Sequence, residues 1–410
     1  MSFNSTLEKK SFTIRCSISL SYFFTVGILV SCVFLSLGLS HAQAEETTDN
    51  GLHPAPIKKI TKSKKTNRSS KEKASKLGIP VIKPEEKTII EKFAAAGNFT
   101  HYRIDCKIYD LDGALVRRIP GWYCIFLENG VSLVSDGNTL EKYDKNFKKL
   151  WTQPIPVNHQ IAISELNDHI LTISNEYETR GNKTLRTDKV LILSDEGKIL
   201  KSFSFKDYAR SHPGNPMILN DWTEDKFHGK SYEETHINSF KEIIKTENNK
   251  KILVGYVAYC LKDQRIYFLD PELKSITRVL SSGGRSLHEL HQISESELIY
   301  YQNQVDSEPH KLSSVGIFNL KTETFSTLYE NKDPHLFSFA CSSVQELPGN
   351  KLFIFHSSCR DRWTPHSGAL EFVDLNTHER VLRLLPYPQG YAQHAFLINA
   401  KNYLKNNSGM

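Results

Sequence analysis

Six short apolar strands, each ending in Asp, Asn or Ser and followed by a turn, recur along this chain of 410 residues. They are Cys106–Asp110, Leu140–Asp144, Val190–Ser194, Ile266–Asp270, Val315–Asn319 and Leu370–Asp374. A single strand pair of this kind cannot bury its own apolar face, so the repetition indicates a ring or solenoid of small sheets. The polar ends are 34, 50, 76, 49 and 55 residues apart, and a four-stranded propeller blade typically takes about 40–50 residues. The short step predicts an abbreviated blade, and the long step predicts an insertion at roughly residues 201–234.

A second type of strand precedes the first type in most repeats, with a polar turn between them. Alternating apolar residues and tight turns are typical of antiparallel hairpins, and no segment has the pattern of a long amphipathic helix. The first repeated strand, Cys106–Asp110, has no hairpin before it. The last strand, residues 393–398, is an orphan strand, because no repeated strand follows it. Pairing of these two ends would complete one sheet and remove its exposed edges. We therefore predict an all-β fold, a six-bladed β-propeller over residues 94–410, closed by its N-terminal and C-terminal strands.

Residues 1–44 have the pattern of an export signal. Basic residues precede an apolar run from Ile18 to Leu39, and Ala42-Gln43-Ala44 follows as a small-residue cleavage pattern. The run is also long enough for an uncleaved membrane anchor, and Leu29–Cys32 is similar to a bacterial lipoprotein box. All three interpretations place the folded region outside the cytoplasm, in the periplasm or the extracellular space.

The net charge of +6 is concentrated in one segment, because Lys58–Lys76 contains eight Lys and one Arg against a single Glu. A segment rich in Lys, Ser and Thr and without aromatic residues cannot bury enough surface to fold. Residues 45–93 are therefore predicted to form a disordered basic tether. The tether either attaches to an anionic envelope surface or serves as a solvated spacer. Nucleic-acid binding is not supported, because no aromatic residues are interleaved with the basic ones.

Five cysteines lie after the export signal. Cys106 and Cys124 have the same separation as Cys341 and Cys359, and each pair flanks a turn. This spacing is compatible with two cross-strand disulfides in an exported protein, or with buried free thiols. Cys260 has no counterpart in this pattern.

Three of the sixteen histidines begin the second type of strand in successive repeats: His159, His236 and His288. Equivalent positions of successive blades lie around the propeller axis on one face, so the three imidazoles should converge. Chance recurrence is one alternative, and a metal site is another. Because no carboxylate or thiolate lies at a matched position, we predict no metal and no cofactor.

The residues around these histidines resemble the bacterial arylsulfotransferases, which transfer sulfuryl groups between phenols without a nucleotide donor. Leu140–Trp151 followed by His159 is similar to that family's opening blade, and His236-Ile237-Asn238-Ser239 is similar to its His-x-Asn-Ser motif. Ser282-Gly283-Gly284, His288 and then Gln302-Asn303 follow in the family's register. The resemblance covers roughly residues 105–400.

The resemblance implies a two-step transfer from an aryl sulfate to a phenol through a sulfated histidine, which would be His288. A neutral imidazole is nucleophilic near pH 7, and a second imidazole, His236 or His159, would serve as general acid and base. Asn238 would donate a hydrogen bond to a sulfuryl oxygen.

Two features depart from the family. The family's arginine after the His-x-Asn motif is missing, so Lys262 or Arg265 would have to bind the sulfuryl group together with Asn303, although Lys is not equivalent to Arg. Gln302 also replaces an Asp. The alternative function is therefore a catalytically degenerate propeller that binds a ligand or a protein in the cell envelope.

Overall fold

The computed structural model describes residues 82–399 except 128, 213–222, 225–230, 284, 304–312, 331–340, 357–368, 378 and 385–393. Six sheets form a ring, five of four antiparallel strands and one of six strands, and the protein is a six-bladed β-propeller, as predicted. Residues 1–81, which include the predicted export signal and most of the predicted tether, lie outside the described residues.

The strands follow one another blade by blade along the chain. Blade 1 contains β1 (His101–Ile104), β2 (Lys107–Asp110) and β3 (Leu115–Arg118), and blade 2 contains β4 (Tyr123–Phe126), β5 (Ser132–Ser135), β6 (Leu140–Tyr143) and β7 (Lys149–Gln153). Blade 3 contains β8 (Val157–Ile163), β9 (Ile170–Arg180), β10 (Lys183–Leu193) and β11 (Ile199–Ser204), extended by β12 (Thr223–Glu224) and β13 (Ser231–Glu233). Blade 4 contains β14 (Ile237–Glu247), β15 (Lys250–Cys260), β16 (Arg265–Leu269) and β17 (Ile276–Ser281), and blade 5 contains β18 (Ser286–Ser294), β19 (Glu297–Asn303), β20 (Ser314–Asn319) and β21 (Thr324–Glu330). Blade 6 contains β22 (Ser343–Leu347), β23 (Lys351–His356), β24 (Ala369–Asp374) and β25 (Glu379–Leu384), and β26 (Ala395–Ile398) returns to blade 1.

The polar residue that ends each repeated strand closes the turn to the outermost strand of the blade. The Asp110 carboxylate accepts hydrogen bonds from the backbone N–H groups of Asp112 and Ala114, at 3.0 and 2.8 Å. Asp144 accepts from Asn146 and Lys148 in the same way, at 2.8 and 2.9 Å. Asp, Asn and Ser suit this position because their short side chains reach the backbone two to four residues ahead. The repeated polar ending is therefore structural.

The ring closes by antiparallel pairing of β1 with β26, in a register that places His101 opposite Ile398 and Ile104 opposite Ala395. Beyond the strand, the Asp105 backbone N–H donates to the His394 carbonyl at 2.9 Å, and the His394 N–H donates to the Asp105 carboxylate at 3.1 Å. The prediction that the chain ends complete one sheet is confirmed, but the strand that pairs with β26 is β1, which the sequence pattern did not identify and which forms a hairpin with the predicted first strand.

Neighbouring blades are joined by apolar cores and by side-chain amides that bind the backbone across the contact. Gln160 of blade 3 both donates to and accepts from the Phe240 backbone of blade 4, at 2.6 and 2.9 Å. Gln345 of blade 6 binds Leu397 of blade 1 in the same two-sided manner, at 3.1 and 2.7 Å. These bonds satisfy backbone groups that would otherwise be buried without partners.

The contact between blades 1 and 2 buries few apolar residues among those described: Cys106, Ile119, Cys124 and Val134 in one cluster and Ile108 in another. A disulfide joins Cys106, in the β1–β2 turn, to Cys124 in β4. Of the two alternatives for this pair, the disulfide is therefore the correct one, but it links two blades instead of two strands of one hairpin. Cys341 is also disulfide-bonded, its predicted partner Cys359 lies outside the described residues, and Cys260 is a buried free thiol.

The structure contains a helix that the sequence analysis missed, α1 (Pro84–Ala96). Pro84 occupies the first turn of the helix, and the Lys83 backbone N–H donates to the Glu86 side chain. Ile90 and Phe93 lie on the buried face, which packs on blade 6. There the Phe93 and Phe372 rings are 5.3 Å apart. The predicted tether of residues 45–93 is therefore wrong for residues 84–93. The pattern was missed because only one and a half turns of this helix are apolar.

The short and long repeat steps also have physical explanations. Blade 2 keeps all four strands, and its short step arises from strands of four or five residues. The insertion contains a short helix, α2 (Phe205–Ser211), and its strand β13 pairs in parallel with β10. Neither helix in the described part of the chain is long and apolar enough to cross a membrane.

We expect removal of the blade 1–blade 2 disulfide to destabilise the ring. The two cysteines are 18 residues apart, and a crosslink closing a loop of that size contributes about 3 kcal/mol. The double variant Cys106→Ala/Cys124→Ala should lose about that much free energy of unfolding by chemical denaturation. Cys260→Ala, which removes a buried thiol outside this contact, serves as the control. Equal stability of the double variant and the unmodified protein would contradict a structural role for the disulfide.

Candidate functional site

Four histidines from four different blades meet at the starts of the innermost strands, and we call them the histidine cluster: His159, His236, His288 and His394. Nε2 of His159 lies 2.8 Å from Nε2 of His236. The ring centroids of His159 and His288 are 6.4 Å apart, and Nε2 of His394 lies 3.1 Å from the His159 carbonyl oxygen, to which it donates. The structure thus brings together the three histidines that the repeat singled out, with a fourth.

Bulges at the starts of two innermost strands turn these side chains away from the regular sheet. His159 has a φ of +60°, where the pairing of β8 with β9 shifts register. Glu289, next to His288, has a φ of +50°, where β18 shifts against β19. Each left-handed residue other than glycine costs on the order of 1 kcal/mol or more, and such costs are concentrated at functional sites.

Buried Asp188 of β10 holds the segment that carries His236. Its carboxylate accepts from the Ile237 N–H at 2.7 Å, and its own N–H donates to the Thr235 hydroxyl at 2.7 Å. The His236 carbonyl accepts from the Leu261 N–H at 2.7 Å. Burial raises the pKa of Asp188, although Arg186 and these hydrogen bonds lower it. The position of the His236 ring is therefore fixed by its backbone on both sides.

The insertion in blade 3 supplies Glu233, whose side chain faces His236. Oε1 of Glu233 lies 2.8 Å from Nδ1 of His236. Arg186 forms an ion pair with the same carboxylate, and Lys262 donates from Nζ to the Glu233 backbone carbonyl. Two cationic side chains thus hold Glu233 against the histidine cluster.

His288 is buried in a polar but sparsely bonded environment. Its Nε2 accepts a 3.3 Å hydrogen bond from the Cys341 N–H, and its buried Nδ1 forms no hydrogen bond with the described residues. Burial, followed by the nearby His394 and His236, lowers the pKa of His288 to about 3. His288 is therefore a neutral imidazole at physiological pH, and the bond from Cys341 assigns its proton to Nδ1.

The two asparagines of the predicted site lie next to His288. Asn238 is buried and donates from Nδ2 to the Leu287 carbonyl at 3.2 Å, while its buried Oδ1 has no hydrogen-bond partner among the described residues. Asn303 is also buried and donates to the Cys341 carbonyl at 2.9 Å. Cys341 and the following Ser342 both have positive φ values, +64° and +89°. The donor that faces His288 is therefore part of a strained backbone segment.

A second buried hydrogen-bond network supports this strained segment. The Tyr301 hydroxyl lies 2.8 Å from Nδ1 of His356, and Nε2 of His356 lies 2.8 Å from the Glu371 carboxylate. Tyr301 also interacts with Ser342. The network links blades 5 and 6 next to the residue that donates to His288.

His394 pairs with a carboxylate as well. Its Nδ1 lies 3.0 Å from Oε1 of Glu289, although the two atoms are not aligned for a hydrogen bond. Burial raises the pKa of Glu289, but His394 and Lys241 lower it by more, so Glu289 is ionised at neutral pH. The cluster therefore has two carboxylates at its margin, Glu233 and Glu289.

The two cations expected to bind substrate have other positions. Lys262 binds the backbone of Glu233, as described, and Arg265 begins β16 near Asp263, whose pKa is raised by burial although hydrogen bonds and the charge of Arg265 oppose the rise. The guanidinium next to the cluster belongs instead to Arg186, with NH2 3.4 Å from Nδ1 of His236. No group of three or more His, Cys, Asp and Glu side chains in the described part of the chain has the geometry to hold a metal ion.

Sequence reasoning missed four residues of this site. His394 has a visible signal, because it directly precedes the orphan strand, as His236 directly precedes β14. Glu289 adjoins His288 in the sequence but faces His394 only after the ring closes. Glu233 and Arg186 belong to the insertion and to the extended β10, which have no equivalent in the other blades, so the repeat gives no signal for them.

Comparison with known proteins gives distant structural similarities. The sequence matches no family model and no curated protein. Similar solved structures include a protein of unknown function from Bacteroides caccae, with 12% identity and a TM-score of 0.47 over 72% of this chain and 98% of that one. A putative 6-phosphogluconolactonase from Bacteroides fragilis has 11% identity and a TM-score of 0.42 over 73% and 98%. A streptogramin B lyase has 10% identity and a TM-score of 0.37 over 68% and 74%. Scores this low do not indicate a shared activity.

We expect His288 to contribute to loss of stability in acid. Its folded-state pKa of about 3 lies below the unfolded value of about 6.5, so the unfolded state binds the extra proton between these two pH values. Stability contributed by the neutral ring is present above pH 6.5 and falls by about 1.4 kcal/mol for each pH unit below it. Between pH 6.5 and 5, the free energy of unfolding of His288→Gln should therefore fall by about 2 kcal/mol less than that of the unmodified protein.

The measurement is the free energy of unfolding, from denaturant titrations at several pH values. The quantity compared is the slope of this free energy against pH, and not its absolute value. His212→Gln, which alters an exposed histidine, is the control and should leave the slope unchanged. Parallel curves for His288→Gln and the unmodified protein would contradict the neutral, buried state of His288.

Proposed function

We propose that this propeller is an exported, arylsulfotransferase-like enzyme that transfers a sulfuryl group from an aryl sulfate to a phenol at the histidine cluster. The observation that supports this best is the convergence of His159, His236 and His288 from three blades, with His288 neutral and buried. A neutral imidazole with a neighbouring imidazole is the combination that nucleophilic transfer with acid–base assistance requires.

In the first half of the proposed reaction, Nε2 of His288 attacks the sulfur of the aryl sulfate. The new N–S bond forms as the S–O bond to the aryl group breaks, and the leaving phenolate takes a proton from a neighbouring imidazolium, which is an imidazole that has taken up one proton from solvent. In the second half, the acceptor phenol returns a proton to that imidazole and attacks the sulfur. The N–S bond breaks and its electron pair returns to His288.

Two groups beside His288 suit the charge that develops on the sulfuryl oxygens. The Cys341 N–H, whose bond to Nε2 is long at 3.3 Å, can shift to an oxygen of the group attached there. Asn238 lies in the neighbouring strand, with an Nδ2 donor 3.2 Å from the Leu287 carbonyl. Fixed donors of this kind stabilise a transition state more than they stabilise the ground state.

A second candidate function is a non-catalytic module that binds a ligand or a protein partner at the same site. It is favoured by the charge distribution, because Arg186 is ion-paired to Glu233, Lys262 donates to the Glu233 backbone, and the Glu289 carboxylate is ionised. Because Arg186 and Lys262 already bind Glu233, they are less available to neutralise the sulfate group of an anionic donor. The lysine-rich segment Lys58–Lys76 would in either case attach the propeller to an anionic surface of the envelope.

The test is turnover of 4-nitrophenyl sulfate with phenol as acceptor, together with the intact mass of the protein after donor alone. We expect release of 4-nitrophenol and a transient mass gain of one sulfuryl group. His288→Gln should abolish both, because no other group in the proposal forms the N–S bond.

The matched control is His291→Gln, since His291 lies on the same strand but bonds the Glu289 carbonyl at 2.8 Å through Nδ1. A mass gain that persists in His288→Gln would exclude His288 as the nucleophile. Absence of turnover, combined with donor-dependent shifts of the cluster histidines in NMR spectra, would favour the binding module.

A further inference from the structure

The contact between His159 and His236 joins two nitrogens of the same type at 2.8 Å, Nε2 to Nε2. Such a contact is a hydrogen bond only when one nitrogen carries a proton and the other presents a lone pair. The two rings are therefore not interchangeable, and the groups on their far sides decide which one donates.

The far side of His236 faces an acceptor. Glu233 is ion-paired with Arg186, so its carboxylate accepts hydrogen bonds and does not donate them. With Oε1 2.8 Å away, Nδ1 of His236 carries the proton. The Arg186 guanidinium, a donor that would favour the opposite tautomer, is more distant from Nδ1, at 3.4 Å. The shorter contact to the ionised carboxylate is the stronger of the two.

The remaining protons follow from this assignment. When His236 is neutral with its proton on Nδ1, it presents a lone pair at Nε2, so Nε2 of His159 must donate. Burial is the main cause that lowers the pKa of His159 well below its ordinary value, so the His159 ring is neutral. A neutral ring protonated at Nε2 has a bare Nδ1, and no hydrogen bond of the described residues involves Nδ1 of His159.

We propose that Glu233, His236 and His159 form a directed proton relay, in which Nδ1 of His159 is the general base and Glu233 is the positioning residue. This inference rests on the proposed sulfuryl transfer and assigns its acid–base chemistry. The insertion of blade 3, which has no counterpart among the described residues of the other blades, then has a function, because it supplies the carboxylate.

The proton movements of the relay accompany the transfer of the sulfuryl group to the acceptor. The acceptor phenol gives its proton to Nδ1 of His159 while the proton on Nε2 of His159 moves to Nε2 of His236. The phenolate oxygen forms the new S–O bond, the N–S bond to His288 breaks, and the positive charge rests on His236 beside the Glu233 carboxylate. The first half runs this path in reverse after the neutral relay has taken up one proton from solvent on His236. His236 then returns a proton from Nε2 to Nε2 of His159, and Nδ1 of His159 gives its proton to the leaving phenolate.

The geometry resembles the general arrangement in which a carboxylate fixes the tautomer of a histidine and stabilises the imidazolium that forms. Here a second imidazole extends that arrangement by one ring. Lys262 and Arg186 act on Glu233, through its backbone carbonyl and its side chain, so they hold the carboxylate in place and do not contact the substrate in this proposal.

The decisive measurement is the tautomeric state of each histidine in the full chain, from ¹⁵N NMR of ¹⁵N-histidine-labelled protein. His159→Gln and His236→Gln assign the signals by their disappearance. We expect the proton on Nδ1 in His236 and on Nε2 in His159. The reverse pattern in the unmodified protein would overturn the relay, whatever its activity.

Glu233→Ala tests the positioning role. Removal of the acceptor should shift the His236 proton away from Nδ1 and lower kcat for transfer by about 100-fold or more, with KM nearly unchanged. The control is Glu176→Ala, because Glu176 has the same 17% side-chain exposure as Glu233 and pairs with Lys189 of the same blade. Unaltered tautomers in Glu233→Ala would overturn the role of Glu233.

The two proposals fail differently. A protein that never transfers a sulfuryl group but shows the expected tautomers loses the proposed function and keeps the arrangement of the relay. A protein that transfers the group with the opposite tautomers keeps the function and loses the relay. If Glu233→Ala does not fold, Glu233→Gln retains the volume and an acceptor oxygen but removes the charge, and it should lower kcat less than full removal of the relay in His159→Gln.

Discussion

Pairing of β1 with β26 is the constraint on which the rest of this structure depends. Six sheets can bury their faces against one another only if the first and last blades also meet, and that contact requires strands from both ends of the described region to form blade 1. The same pairing places His394 beside the His159 carbonyl, 235 residues earlier in the chain. Closure of the ring and completion of the histidine cluster are therefore one structural event.

The site departs from the regularity of the ring that supports it. Elsewhere each blade closes its turns with a polar residue and joins its neighbour through apolar cores and amide bonds. At the cluster, His159, Glu289 and Cys341 adopt left-handed backbone conformations, and the blade 3 insertion adds Glu233. A rigid ring can hold such strained residues because their neighbours fix them on both sides.

The strands, the number of blades and the closing pair could be predicted from the sequence, since alternation and turn residues are local signals that recur. Helix α1 escaped because its apolar residues Ile90, Phe93 and Ala94 form a short pattern next to a highly charged segment. The cross-link from Cys106 to Cys124 was predictable as a pair, but not as a bond between blades, because its direction depends on how two sheets pack. In the site, His159, His236 and His288 were found by their common register, whereas Glu233 and Arg186 lie where the repeat is broken.

The sequence by itself determined the architecture: the hydrophobic period and the Asp, Asn and Ser endings specify hairpins, and hairpins that cannot bury their own faces must form a ring. It also determined which three histidines share a position. Only the tertiary structure decided the partners of those histidines, Glu233 for His236 and the Cys341 N–H for His288. Hydrogen-bond direction and burial depend on groups that are 3 to 53 residues away in the chain, and these groups meet only when the blades have packed.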